Sequence, residues 1–282
     1  MIKKKPKVSV VIPCYNDKDY IEETLESVLK QTFKDFEIII VDDGSNYETK
    51  EVLKKLNFKN VNILEQENRG LSNARNNGFK KAKGEYVLTI DSDDTFDKTF
   101  LEKAVFILDK EKKVSAISSY CNIFVEDYKI IKKHIPKGGN LNNFLFDNNS
   151  TSFALIRKSV WNNIGGYDEK MIYGFEDWEF WISLTKQGGE VYIIKEFLFN
   201  YRHKKRSMSK IAKTNYREKN LSYIYKKHKD IYKEHFEEAI DFIADLAIRH
   251  KRNEIKYKTS IDFKIGRIIL FPIRFAKKII LK

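Results

Sequence analysis

The stretch that decides the fold is residues 8–45, "VSVVIPCYNDKDYIEETLESVLKQTFKDFEIIIVDDGS". It opens and closes on short Val/Ile runs, "KVSVVIP" (7–13) and "FEIIIVD" (36–42), each ending in turn or acidic residues. Runs this apolar bury both faces, as strands of a helix-covered parallel sheet do. Between them, Tyr20, Ile21, Leu25, Val28 and Leu29 share one face at helical spacing within 17–32. A strand, a helix and a second such strand make one right-handed crossover unit. The pattern continues with helical spans at 47–56 and 70–84 and strands "NVNILEQ" (60–66) and "EYVLTID" (85–91). A helix near 97–111 and a strand near 114–120 extend it. The expectation is an α/β fold with a Rossmann-like, mostly parallel sheet flanked by helices.

Further on, "HIPKGGNLNNFLFDNNS" (134–150) reads as loop. A strand (152–157), a short helix (158–164), a Gly-Gly turn, a helix from Glu176 and a strand (190–194) follow. From 211 the pattern is helical and basic. Residues 1–201 hold 30 Lys and Arg against 31 Asp and Glu, whereas residues 202–282 hold 23 against 9. The net charge of +13 therefore belongs to an appendage. The expected division is a catalytic domain, 1–210, and a basic helical C-terminal extension, 211–282, whose partner is an anionic surface.

Cys14 and Cys121 form neither a metal spacing nor a disulfide framework. The apolar run behind the basic N-terminus is about six residues, short of a signal segment of roughly 7–15. No run approaches the ~20 apolar residues of a spanning helix. The expected location is cytoplasmic.

Ligands of open parallel sheets bind at the carboxyl ends of the strands. Those ends carry Pro13-Cys14-Tyr15-Asn16, Asp42-Asp43-Gly44-Ser45 and Asp91-Ser92-Asp93-Asp94. No Gly-x-Gly-x-x-Gly or Walker-type loop follows any strand. Clustered carboxylates raise one another's pKa and call for a cation. Carboxylates without a cysteine suit Mg2+ or Mn2+. The competing account, Asp93 or Asp94 capping the helix at 97–111, explains neither three acids nor the pair at 42–43.

The motifs "NRGLSNARNNG", "GEYVLTIDSDD", "GGYDE" and "GFEDWEFWISL", in order behind the opening stretch, resemble glycosyltransferase family 2, with its GT-A fold. The resemblance runs from about residue 7 to about 209 and leaves the last 70 or so residues uncovered. It implies a nucleotide-sugar donor, most often a UDP-sugar. By that resemblance Pro13 belongs to the nucleotide-sugar site, and Tyr15 lies against the base and stacks on it unless it is a core aromatic. Asp43 accepts from the uracil N–H, and Asp42 orients the turn or the ribose. Arg75 reaches the nucleotide or braces the acids, the bland account being a solvent-facing helical Arg. Asp91 and Ser92 belong to the Asp-x-Asp motif, and Asp93 is its metal ligand. His203 is a second metal ligand or a surface His, and Arg206 belongs to a diphosphate-binding loop. Glu176 and Asp177 open a helix, with Glu176 in the nucleotide-sugar site and Asp177 as the base that deprotonates an acceptor hydroxyl. The alternative is that both acids serve only the helix dipole. Trp178 faces a sugar or the core. Inversion at the sugar rests on the family.

In 261–282, Lys264, Arg267, Arg274, Lys278 and Lys282 take one side of a helical wheel. Ile265, Ile268, Ile269, Ile273, Ala276, Ile279 and Ile280 take the other. Such a helix lies on an anionic membrane surface, or packs on its own domain or a second copy as a homo-oligomer. No nucleic-acid motif accompanies the Tyr/Lys-rich 213–233, so nucleic acid is not an expected partner. The implied activity is a metal-dependent inverting transfer of a sugar to a growing cell-surface glycan, capsule or lipopolysaccharide, free or lipid-linked. It would work peripherally at the inner face of a cell membrane. The rivals are a nucleotidyltransferase, and a relative that binds glycan or membrane without catalysis.

Overall fold

The computed structural model describes residues 5–56, 58, 60–204 and 207–272. Arg206 and the basic and apolar positions expected at 273–282 lie outside the described residues.

The opening stretch forms β1 (Val8–Cys14), α1 (Ile21–Leu29) and β2 (Phe36–Asp43). Next come α2 (Tyr47–Lys55), β3 (Val61–Gln66), α3 (Leu71–Lys81), β4 (Tyr86–Thr89), β5 (Thr95–Phe96) and α4 (Phe100–Lys110). The second half supplies β6 (Val114–Phe124), β7 (Ile130–His134), α5 (Leu141–Phe144), β8 (Ala154–Arg157), α6 (Lys158–Ile164), α7 (Glu176–Lys186) and β9 (Glu190–Arg202). They form a nine-stranded sheet in the order β3-β2-β1-β4-β8-β6-β9-β5, with β7 paired to β6. The expected parallel half is present: β1 pairs in parallel with β2 and β4, and β2 with β3. β8 then runs antiparallel between β4 and β6.

Two elements exceed the sequence expectation. β6 runs to Phe124 and β9 through thirteen residues to Arg202, because the two pair in parallel along most of their length. That pairing carries the basic segment after β9 back to the strand ends. The expected loop at 134–150 also holds a short helix, α5, whose Phe144 is fully buried.

α3 lies directly on β1. A Cβ at Gly78 would meet Val11 Cγ1 at 2.3 Å, so only glycine permits that approach. Pro13 sits in β1 where β4 no longer pairs, since that register ends at Val11↔Thr89. Its missing N–H therefore leaves no ladder bond open on that side.

The contacts divide the chain into two units, 1–227 and 228–282. The expected boundary at 210/211 falls within the first unit, which includes α8 (Met208–Ile211) and α9 (Arg217–Lys227). The second unit holds α10 (Lys229–Glu234), α11 (Phe236–Thr259) and α12 (Ile261–Ile269). Among the described residues, no helix is long and apolar enough to cross a membrane.

Candidate active site

The carboxyl ends of the adjacent parallel strands β2, β1 and β4 lie along one edge of the sheet, and the two expected acidic clusters there are built differently. At the β2 end, Asp42 Oδ1 accepts from Ser45 N at 2.9 Å and orders the turn. Asp43 is buried and accepts from Gln66 Nε2 at 2.7 Å, Arg69 N at 2.8 Å and Gly70 N at 2.9 Å. Its observed work is to hold the loop ahead of α3. Gly44, with φ of 73°, brings the turn so close that a Cβ would stand 2.6 Å from Asn68 N. Tyr15, at the β1 end, is half exposed.

The β4 end carries the larger cluster. Ser92 Oγ donates to Asp17 Oδ2 at 2.5 Å. Thr24 Oγ1, in α1, donates to the carbonyls of Ser92 and Asp94 at 2.9 and 2.8 Å. Asp94 is fully buried; its Oδ1 accepts from Arg202 N at 2.8 Å, and its Oδ2 has no partner among the described residues. Neither Asp93 nor Asp94 caps α4, whose N-terminal neighbour is Thr99. The capping account therefore fails. Burial, with the charges of Asp17 and Asp91 behind it, pushes Asp93 up to about 6 despite Lys204. Burial and the Asp93 and Asp91 charges raise Asp94 as well.

Arg75 is the joint of the site. It projects from α3 with no solvent exposure, so the solvent-facing account fails too. Its Nη2 meets Asp91 Oδ1 at 2.7 Å, and its Nη1 meets Glu176 Oε1 at 2.7 Å. Burial opposes the guanidinium charge, and Asp91 and Glu176 more than offset that, so Arg75 is held charged. Burial pushes Glu176 up to about 7 against the pull of Arg75. The bridge ties the β4 acids to the first turn of α7.

That turn is sharply made. Phe175, just ahead of α7, is left-handed with φ of 67°, a strained geometry for an aromatic residue. Asp177 Oδ2 accepts from Asn148 Nδ2 at 2.8 Å, and its Oδ1 from Trp178 N at 2.8 Å. Trp178 is core: it is buried, and its Nε1 donates to the Phe144 carbonyl at 2.6 Å. The "GGYDE" segment is stitched to α3 by Asn76, which accepts from Tyr167 N at 2.8 Å and donates to Glu169 Oε1 at 2.9 Å.

At the end of β9, Arg202 Nη2 pairs with Glu23 at 2.6 Å and its Nε donates to the Asp93 carbonyl at 2.9 Å. Lys204 Nζ lies 2.7 Å from Asp93 Oδ2 and 3.0 Å from Asp17 Oδ1. His203 is exposed, and its backbone N–H donates to the Phe124 carbonyl at 2.7 Å. Among the described residues of this segment, Arg202 and Lys204 touch the acids. Sequence reasoning missed both, along with Asp17 and Asn148.

A divalent cation fits the donor set. The ligands on offer are carboxylate oxygens, Asp93 is crowded by the Asp17 and Asp91 charges with one ammonium, Lys204, beside it, and Cys14 stays a thiol because burial pushes it up to about 12. Among the described residues, no three His, Cys, Asp or Glu side chains converge as a cage. A hard cation here would take one or two carboxylates and the rest of its ligands from phosphate and water.

Residues 9–166 match the family model described as glycosyl transferase family 2. The putative teichuronic acid biosynthesis glycosyltransferase TuaG of Bacillus subtilis is 32% identical over 210 residues, which are 73% of this chain and 82% of TuaG. The UDP-Glc:alpha-D-GlcNAc-diphosphoundecaprenol beta-1,3-glucosyltransferase WfaP of Escherichia coli is 30% identical over 186 residues, 64% of this chain and 71% of WfaP. Among solved structures, S. aureus TarS 1–349 in complex with UDP-GlcNAc superposes with a TM-score of 0.60 at 23% identity, covering 72% of this chain and 60% of TarS 1–349. The mannosyltransferase PcManGT of Pyrobaculum calidifontis, in complex with GDP-Man and Mn2+, gives 0.57 at 20%, covering 73% of this chain and 59% of its own. The chain thus spans about 60% of these solved chains. At these identities the likeness is one of fold, and it matches the α/β architecture found here.

Proposed function

The chain belongs to glycosyltransferase family 2, and from that premise we propose that it transfers a sugar from a UDP-sugar to a hydroxyl of a cell-surface glycan. The observation that carries this reading is the buried Arg75 bridge, which sets a carboxylate at the donor end of β4 and the Asp177 turn in one frame. The names of TuaG and WfaP support a surface polysaccharide, and for WfaP a UDP-sugar donor with a lipid-diphosphate acceptor.

On this reading Tyr15 and Pro13 flank the base, and Asp91 and Ser92 lie by the ribose. The spare lone pairs of Asp43 Oδ2 face the base's N–H. Asp93, with Asp91 beside it, holds Mn2+ or Mg2+, and His203 is the second ligand expected of the family. The ion's chemistry is to neutralise the charge that develops on the leaving diphosphate. Asp177, held by Asn148, takes the hydroxyl proton as the hydroxyl oxygen bonds to the anomeric carbon. The bond from that carbon to phosphate breaks with its electron pair going to the phosphate oxygen. Displacement from the opposite face inverts the anomeric centre.

Three lysines, Lys170, Lys219 and Lys226, border a cavity of about 310 Å³ beside the Tyr173 loop that leads to Asp177. An anionic acceptor suits that position. The apolar side of α12, with Ile261, Ile265 and Ile268 exposed, supports contact with a membrane surface.

Calorimetry of UDP, GDP, CMP and dTDP, each with and without Mn2+, tests the donor. Asp177→Asn should bind UDP within about threefold of the wild type while its turnover falls about 10³-fold. Absence of any nucleotide binding would end this reading.

A further inference from the structure

The carboxylate assigned to the donor's cation, Asp93, already holds a cation of this chain. Lys204 bridges Asp93 and Asp17 through one ammonium, at 2.7 and 3.0 Å. Its Nζ also stands 5.1 Å from the centre of the Tyr20 ring. Arg202, two residues earlier, is fixed to Glu23, to the Asp93 carbonyl and to Asp94. The backbone approach to Lys204 is thus anchored, while the lysine side chain itself remains 29% exposed. An ammonium is a compact point charge on a flexible stem, able to change partners without moving its backbone.

A divalent ion and this ammonium cannot share Asp93 Oδ2 at contact distance without strong repulsion. A nucleoside diphosphate would bring its own negative charges to the same place. We propose that Lys204 is the resident counter-cation of the donor site, holding Asp93 and Asp17 in the free protein and passing to the diphosphate when the donor arrives with its metal ion. This rests on the donor-site reading above. It makes Lys204 a positioning residue that couples metal affinity to nucleotide affinity: the free protein resists the metal alone, and the diphosphate releases Asp93 to it.

Lys204→Met keeps a long unbranched side chain and removes the charge. Two titrations then move in opposite directions. Mn2+ alone, followed by the loss of its free electron-spin signal, should bind Lys204→Met about tenfold more tightly than the wild type, because the competing charge is gone. UDP in the presence of EDTA should bind about tenfold more weakly, a charge-assisted hydrogen bond having been lost. UMP, which lacks the second phosphate, should change less than threefold. Lys204→Arg should restore the UDP affinity. A purely structural lysine would weaken both ligands together or neither, and circular dichroism of the variants checks that they are folded. If Mn2+ affinity is unchanged or lower in Lys204→Met, or if UDP binding without metal is unchanged, the proposal is overturned while the donor site stands. If the wild type binds no UDP under any condition, the donor-site reading and this proposal fall together.

Discussion

Arg75 shows what one residue can fix. Its guanidinium is wholly buried between Asp91 and Glu176, and the planar fork of Arg satisfies both at once. Removing it leaves two carboxylates short of their cation, which costs about 3–5 kcal/mol for a buried pair. Arg75→Met should therefore lower the urea midpoint by a corresponding amount. Adding Glu176→Gln should recover part of the loss, because one stranded charge disappears. Equal midpoints for Arg75→Met and the wild type would remove Arg75 as the joint. The motif singled out Arg75, and bracing the acids was one of its two expected roles. The second partner was beyond reach, since Glu176 is 101 positions away along the chain. Lys204 illustrates a different limit. In "YRHKKRSMS" four basic residues and a histidine stand together, and composition does not say which of them faces inward. The path of the chain beyond β9 does, and the sequence ended that strand at 194, eight residues before its observed end.

Among the elements, the parallel half was legible because β1, β2 and β4 are almost wholly buried and read as continuous apolar runs. The returning half was not. β5 is two residues long, and β9 alternates buried and exposed positions over much of its length. Pairing with β6, not local propensity, sets the extent of β9. α9 is the element whose role the expected boundary concealed. Its Asn220 is buried and donates to the carbonyls of Tyr173 and Gly174 at 3.0 and 3.2 Å. Lys227, at its end, pairs with Asp168 and Glu179 at 2.6 and 2.8 Å. α9 thus tethers the loop that delivers the strained Phe175 and, after it, Asp177. Asn220→Ala frees two carbonyls from their shared donor and loosens that loop. Turnover should fall about tenfold, as expected when a reacting group loses its alignment, with UDP affinity unchanged. A fall in UDP affinity of the same size would mean that α9 supports the whole fold and not the turn.

At the scale of the whole molecule, two charge asymmetries make predictions. The first lies inside. Burial raises Asp93 to about 6 and Glu176 to about 7, so the folded, ligand-free protein binds protons that the unfolded chain releases. That contribution is complete below the unfolded carboxylate pKa, near 4, and is lost as pH rises through 6 to 7. The ligand-free protein should melt higher at pH 5 than at pH 8. Asp93→Asn should shrink that difference by on the order of 1–3 kcal/mol, and a pH response identical to the wild type's would contradict the placement of Asp93. The second asymmetry lies along the chain, where residues 1–201 are near neutral and residues 202–282 carry 23 basic against 9 acidic residues. In α12, Ile261, Ile265 and Ile268 are exposed and fall on one side, with Lys264 and Arg267 on the other. Cationic and apolar faces on one helix suit an interface of anionic lipid, where each basic residue contributes about 1 kcal/mol. Flotation of the full chain with vesicles of phosphatidylglycerol should therefore recover it at low salt, and release most of it at 0.5 M NaCl as screening shortens the reach of the lysines. Vesicles of phosphatidylcholine should not recover it. Ile265→Glu with Ile268→Glu should abolish binding while leaving every basic residue in place, because the lysines bring the helix to the surface and the isoleucines hold it there. Flotation that survives both substitutions would assign the attraction to charge alone and remove α12 as the element that enters the interface.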